Sequence, residues 1–172
     1  MSEAARLTPL EALRSGMAVA YHAQERPERM AMVSNYGSRT FAELNARANQ
    51  LARVFRAAGL KPDDSVAMLL VNRPEFIEVY YACMRAGLRI TPINWHLTGD
   101  NASYIVGNCE AKAFIADVRC MKPAVDARND NRAGLRLALA VGGAIPGFHD
   151  YAEMVTAEDG RNSRKRPSVS HT

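Results

Sequence analysis

Two glycine-containing segments have the residue types of a loop that binds phosphate through backbone amides. The first, 35–40 (Asn-Tyr-Gly-Ser-Arg-Thr), lacks the lysine and the glycine spacing that such a loop needs. The second, 142–147 (Gly-Gly-Ala-Ile-Pro-Gly), contains a proline and is not followed by the amphipathic helix that a dinucleotide fingerprint opens. We therefore predict a hairpin turn at the first segment and a connecting loop at the second.

His96 is the histidine best placed for a binding role, because it follows Trp95 in a loop after a predicted strand, where α/β proteins hold ligands. It has no acidic residue or cysteine at ligand spacing, so packing or solvent exposure is the favoured interpretation and a binding role stays the alternative. The other histidines, His22, His149 and His171, form no spaced cluster. We therefore predict no metal site.

The three cysteines, Cys83, Cys109 and Cys120, are odd in number and lack CxxC spacing. We interpret them as inert, reduced thiols of a cytoplasmic protein. Charged residues interrupt the first 13 residues, which argues against a signal peptide. No apolar run approaches the roughly 20 residues of a membrane helix, so we expect no membrane span.

The net charge of +4 is concentrated at the end of the chain. Residues 158–172 hold four basic and two acidic residues and thus supply +2 of it. The basic run at 161–166 has no interleaved aromatic residues, so we expect a solvated tail and no nucleic-acid partner. Because residues 157–172 have almost no apolar content, we predict that this basic tail is disordered.

Helical and strand patterns alternate through the body of the chain. A helix is predicted at 10–22, a hairpin at 30–41 with its turn at 35–38, and a long helix that begins at Thr40 in a capping box with Glu43 and ends at Gly59. Apolar runs predict strands at 65–71, 88–93, 111–116 and 135–141. Helices are predicted between these strands, one capped by Asn72 and ended by Gly87, one starting at Thr98, and one at 118–127.

These elements predict an α/β fold with a mostly parallel sheet flanked by helices and an N-terminal hairpin. We divide the chain into a leading segment (1–29), an incomplete α/β subdomain (30–156) and the disordered basic tail (157–172).

Three stretches resemble the AMP-forming acyl-CoA synthetases, the fatty-acid-CoA ligases of the adenylate-forming superfamily. They are 40–52 (Thr-Phe-Ala-Glu-Leu-Asn-Ala-Arg-Ala-Asn-Gln-Leu-Ala), 70–76 (Leu-Val-Asn-Arg-Pro-Glu-Phe) with 82–87 and 91–94, and 94–98 (Asn-Trp-His-Leu-Thr). The resemblance runs from about residue 22 to residue 154 and implies part of the N-terminal domain of such an enzyme. One departure is 98–101 (Thr-Gly-Asp-Asn), which lacks a capping-box carboxylate and predicts a weak helix start.

The resemblance implies that a fatty acid reacts with ATP to form an acyl adenylate, from which coenzyme A then displaces AMP. The family places its phosphate loop, adenine segment and C-terminal lysine in later segments, and none of those strings occurs here. We therefore assign no catalytic, cofactor-binding or metal residue. ATP, Mg²⁺ and coenzyme A are implied for the full-length family but not for this fragment.

A truncated synthetase that is inactive alone is the favoured hypothesis, with a missing C-terminal portion or a companion chain as its partner. A self-standing, non-catalytic α/β interaction module is the alternative. A parallel sheet must be covered on both faces, but few helices are predicted here, and the resemblance implies that a second subdomain covers one face in the family. We therefore also expect the fragment to leave one sheet face open and to self-associate.

Overall fold

The structure is a computed structural model that describes residues 6–161. Its helices are α1 (Pro9–Arg14), α2 (Ala18–Glu25), α3 (Phe41–Ala57), α4 (Pro74–Ala86), α5 (Gly99–Asn108), α6 (Met121–Asp130) and α7 (Tyr151–Thr156), with a 3₁₀ turn at Val118–Cys120. Its strands are β1 (Met30–Ser34), β2 (Gly37–Thr40), β3 (Ser65–Leu69), β4 (Arg89–Pro92), β5 (Ala111–Asp117), β6 (Leu137–Val141) and β7 (His149–Asp150).

A five-stranded parallel sheet, in the order β4-β3-β5-β6-β7, forms the centre of the fold. Side chains from alternate positions of its strands enter two apolar clusters. One cluster contains side chains of α3, α4 and α7, and the other contains side chains of α5 and α6. The predicted fold class is therefore confirmed, with β1 and β2 forming the separate antiparallel hairpin.

Both faces of the central strands are covered by helices of the chain itself. Every residue of β3 and of β6 is buried. The prediction that one sheet face lies open to water is therefore wrong. The short helix α7, which the sequence analysis did not anticipate, is one reason, because it buries Tyr151 and Val155 in the cluster of α3 and α4.

The long helix α3 forms as predicted. The Thr40 hydroxyl accepts a hydrogen bond from the Glu43 backbone N–H at 3.2 Å, and the Glu43 carboxylate accepts one from the Thr40 N–H at 2.8 Å. Gly59, with φ of +79°, lies just beyond the end of the helix. The capping box and the glycine thus fix both ends of this helix.

Two predicted helix boundaries are wrong. The single helix predicted at 10–22 is two helices, because the chain reverses at Gly16, whose φ is +68°. The helix assigned to an Asn72 cap begins one residue later, with Arg73 at the cap and Pro74 in the first turn, where its missing N–H costs nothing. Thr98 does precede α5 and forms no side-chain cap there, as its lost capping box predicts.

The part of the predicted tail that the structure describes lies against α3. Asn49 donates a hydrogen bond to the carbonyl of Gly160 at 2.9 Å, and Gln50 donates one to that of Glu158 at 2.8 Å. The disorder predicted for 162–172 falls outside the described residues. Within residues 6–161, no helix has the length and apolar character to cross a bilayer.

Candidate functional site

The carboxyl ends of β3 and β5 define the place where a sheet of this topology forms a binding crevice. These strands are neighbours, but the helix after β3 packs on one face of the sheet and the helix after β5 packs on the other. Loops that diverge in this way leave an opening between them, and open α/β sheets bind ligands at such a point. The residues that follow β3 and β5 thus lie where a binding site would form.

Arg73, which follows β3, is held by two carboxylates at this edge. Its Nε lies 2.7 Å from Glu75 Oε2, and one of its terminal nitrogens lies 2.8 Å from Asp117 Oδ2. Asp117 is the last residue of β5 and is fully buried. Burial alone would lower the pKa of Arg73, but hydrogen bonds to Glu75 and Asp117 outweigh it and raise that pKa.

The surroundings hold this ion cluster in one geometry. The second carboxylate oxygen of Asp117 accepts a hydrogen bond from the backbone N–H of Arg119 at 2.9 Å and caps the 3₁₀ turn. The Tyr36 ring lies 5.1 Å from the Arg73 guanidinium carbon. Gly142, with φ of +82°, leaves space for the guanidinium that a Cβ atom would occupy. At the switch point the structure therefore places an arginine that is already paired with two carboxylates.

His96 lies at the same edge, in the loop between β4 and α5, and is exposed. Its ring stacks on Trp95 with centroids 3.6 Å apart, and the guanidinium carbon of Arg119 lies 5.5 Å from the Trp95 ring centroid. Arg119 also donates a hydrogen bond to the Tyr36 hydroxyl. The structure thus places His96 in a stack of side chains.

His22 and His149 lie on different elements. His22 packs on the Phe41 ring with centroids 4.9 Å apart, His149 begins β7, and His171 falls outside the described residues. Within residues 6–161, no group of three His, Cys, Asp or Glu side chains is arranged to hold a metal ion.

Both glycine-containing segments are connections, as predicted. Asn35 and Tyr36 form the turn between β1 and β2, with Ser34 paired to Gly37. The 142–147 segment links β6 to the short strand β7. The expectation that no helix follows the 142–147 segment is wrong, because α7 follows it after β7. Asp150, and not a glycine, caps that helix.

A second buried ionic group, which the sequence analysis missed, joins the hairpin to α4 and α7. Glu78 is fully buried, and its carboxylate lies 2.9 Å from Arg39 Nε and accepts a hydrogen bond from the Tyr151 hydroxyl at 2.7 Å. Burial and the nearby Glu78 charge raise the pKa of Tyr151 well above its usual value. In the sequence, Glu78 lies among apolar residues of the helix α4. An acid on a buried helix face usually has a partner, and this is the signal from which the ion pair could have been predicted.

Two of the cysteines are buried and are poor nucleophiles. Burial raises the pKa of Cys83 to about 12 and raises that of Cys120 as well. Reactivity requires the thiolate, which these environments disfavour. All three cysteines are free.

The fold is shared with solved CoA ligases. A benzoate CoA ligase from Burkholderia xenovorans LB400 superposes with a TM-score of 0.78 over 90% of this chain and 30% of its own, at 19% identity. This similarity shows the fold.

The AMP-binding enzyme family matches residues 19–165, so the chain belongs to that family. The fatty acid-acyl-carrier-protein ligase ScoC of Streptomyces coeruleorubidus is 33% identical over 86 residues, which are 50% of this chain and 17% of that ligase. The human long-chain fatty acid transport protein 1 is 36% identical over 94 residues, which are 54% of this chain and 15% of that protein. The chain therefore matches about a sixth of the length of these relatives.

Proposed function

We propose that the chain supplies the first part of the N-terminal domain of an ATP-dependent acyl-CoA synthetase that activates fatty acids, and that it is inactive alone. Residues 30–156 form the incomplete AMP-binding subdomain in this proposal. The observation that carries it is the family match over 19–165 combined with a carboxyl edge where Arg73 already binds two carboxylates. Such an arginine is not free to bind the phosphates of ATP.

The residues at the switch point do not fit Mg²⁺ or a triphosphate. Magnesium sites use carboxylate oxygens, but the two carboxylates at the switch point, Glu75 and Asp117, are both engaged by Arg73. We therefore derive no catalytic step here. A missing C-terminal portion or a companion chain would supply the ATP, Mg²⁺ and coenzyme A sites.

The proposal has a two-part test. The purified chain, given ATP, Mg²⁺ and a fatty acid, should release no pyrophosphate. A chimera of ScoC, with its matching segment replaced by that of this chain, should form acyl adenylate, which hydroxylamine traps. Pyrophosphate release by the chain alone would disprove its inactivity, and a folded but inactive chimera would count against the shared activity.

The second candidate is a self-standing interaction module. It is favoured by the complete burial of β3 and β6 within this one chain, since an incomplete fragment would be expected to expose its central strands. This candidate predicts cooperative unfolding and a monodisperse monomer. Non-cooperative unfolding would exclude it.

Self-association remains part of our proposal, but through a different surface. Leu10 and Leu13 of α1 and Tyr80 and Met84 of α4 are exposed apolar side chains, and Gly16 at the end of α1 lies against Met84. Contiguous exposed apolar side chains favour association. We also propose a cytoplasmic location, which the three free thiols support.

A further inference from the structure

Three arginines converge on one concavity at the amino end of β6. Arg128 lies in the last turn of α6, and Arg132 and Arg136 lie between α6 and β6. All three line an open cavity of about 200 Å³, together with Gly147 and His149. This cavity lies at the amino ends of the strands, opposite the edge that holds Arg73 and Asp117.

The positive charge of this cavity is poorly compensated by the protein. Among the described residues, the carboxylate within 4 Å of these guanidinium groups is that of Asp64, 3.9 Å from Arg136. Arg128 donates a hydrogen bond of 3.5 Å to the amide oxygen of Asn129. The helix dipole favours a cation at Arg128 but accounts for neither Arg132 nor Arg136, which lie beyond the helix.

Backbone atoms contact two of the guanidinium groups in different ways. Arg136 donates a hydrogen bond to the carbonyl of Gly59 at 2.5 Å. Arg128 lies so close to Gly147 that a Cβ atom there would be 2.7 Å from its Cζ. Gly147 has a φ of +82°, so glycine is favoured both for its backbone conformation and for the space it leaves. Arg136 is therefore anchored, and Arg128 fits its position because residue 147 is a glycine.

We propose that this arginine cavity binds a small phosphate-class anion, either free phosphate or diphosphate or the terminal phosphate of a nucleotide. Guanidinium groups form paired, charge-assisted hydrogen bonds with phosphate oxygens. The volume is below the roughly 300–1,000 Å³ of pockets that enclose drug-sized ligands, so the phosphate enters and the rest of a nucleotide stays outside. The inference rests on residues of this chain and does not depend on the proposed function.

Isothermal titration calorimetry of the full chain with inorganic diphosphate tests the proposal, with chloride used to hold the ionic strength constant. We expect saturable binding at one site. Arg132→Gln, at an exposed position, should weaken it by about tenfold or more, as expected for loss of hydrogen bonds to a charged group. Gly147→Ala should also weaken it by displacing Arg128. Arg26→Gln, an exposed arginine on the surface after α2, is the matched control and should bind as the unmodified chain does.

Competition identifies the source of the phosphate. ATP that displaces diphosphate in the unmodified chain but not in Arg132→Gln indicates a nucleotide's terminal phosphate, whereas diphosphate binding without competition indicates the free anion. Circular dichroism of each variant checks that the fold persists. A calorimetric titration with diphosphate that shows no saturable binding would overturn the proposal. Equal affinity in a folded Arg128→Gln/Arg132→Gln double variant would overturn it as well.

Discussion

The hydroxyl of Tyr151 donates a 2.7 Å hydrogen bond to the fully buried carboxylate of Glu78 and so joins the last described helix to α4. Arg39 of the hairpin binds the other oxygen of the same carboxylate at 2.9 Å. One buried acid thus connects three elements that are distant in the sequence. Removal of either donor leaves one oxygen of this buried carboxylate without its hydrogen bond, which is costly.

Tyr151→Phe is therefore expected to destabilise the chain. The substitution keeps the ring but leaves one oxygen of Glu78 without its donor, at a cost of about 1–3 kcal/mol. The free energy of unfolding in urea measures it. Tyr104→Phe, at a residue that is 70% exposed, is the control and should leave stability unchanged. Equal effects of the two substitutions would show that the hydroxyl of Tyr151 contributes nothing.

Asp117→Asn should be more damaging than Glu75→Gln. Each substitution removes one negative charge that pairs with Arg73. Asp117 is fully buried and also caps the 3₁₀ turn, whereas the Glu75 side chain is 14% exposed. Breaking a buried ion pair costs about 3–5 kcal/mol, and we expect the first variant to approach that range. Chemical denaturation of both variants gives the comparison. A larger effect for Glu75→Gln would contradict this expected order.

Gly142→Ala tests the packing around the same arginine. Alanine at this position adopts an unfavourable left-handed backbone, which costs about 1–2 kcal/mol, and its Cβ meets the Arg73 guanidinium. Gly37→Ala is the matched control, because Gly37 also has a positive φ, of +117°, but its nearest neighbour would be 3.7 Å away. Because the close collision occurs only at Gly142, we expect Gly142→Ala to lower the melting temperature more than Gly37→Ala does. Identical melting temperatures would mean that Arg73 moves aside freely.

Stability should decline at alkaline pH, with a contribution from Cys83. The pKa of this thiol is about 12 in the folded chain against an ordinary value of 9.0, because burial disfavours the thiolate. The unfolded chain therefore loses this proton at lower pH than the folded chain. The contribution of the protonated Cys83 thiol to the free energy of unfolding is complete below pH 9. It is lost as the pH rises from about 9 towards 12, by up to about 1.4 kcal/mol per pH unit.

Unfolding free energies measured between about pH 8 and about pH 11, on either side of the ordinary thiol pKa of 9.0, check this sign. Cys83→Ala should be less stable at neutral pH, because it leaves a small cavity, but should show a shallower decline. Tyr151 contributes in the same direction at higher pH, since its pKa is also raised. An equally steep profile in Cys83→Ala would assign the alkaline decline to other groups.

Local signals predicted the regular elements well, and long-range pairs escaped prediction for a physical reason. The start of α3 could be read from Thr40 and Glu43 because the whole capping box spans four residues. Arg73 and Asp117 are 44 positions apart, and Glu78 and Tyr151 are 73 apart, so no local spacing relates them. These pairings are set by the strand order of the sheet.

Helix α7 was missed because it is six residues long and too short to show a helical period. The incorrect expectation of an uncovered sheet face came from the small number of predicted helices, which did not include α7, and from the second subdomain that the family resemblance implies. A longer helix would have shown an amphipathic pattern and could have been predicted. The sequence could thus indicate that a parallel sheet needs two covering layers, but not that this chain contains both.

The last prediction concerns the exposed apolar side chains of α1 and α4, which replace the sheet face as the expected surface of association. Leu13 is 72% exposed and Met84 is 44% exposed, and the contact of Gly16 with Met84 brings these two helices together. If this surface drives association, Leu13→Gln with Met84→Gln should shift the chain towards monomer in size-exclusion chromatography with light scattering. It should also lower the fluorescence of a dye that binds apolar surface. Tyr104→Gln removes a side chain of similar exposure from α5 and should change neither measurement. A monomer in the unmodified chain, with weak dye binding, would remove self-association from the proposal and favour the self-standing module.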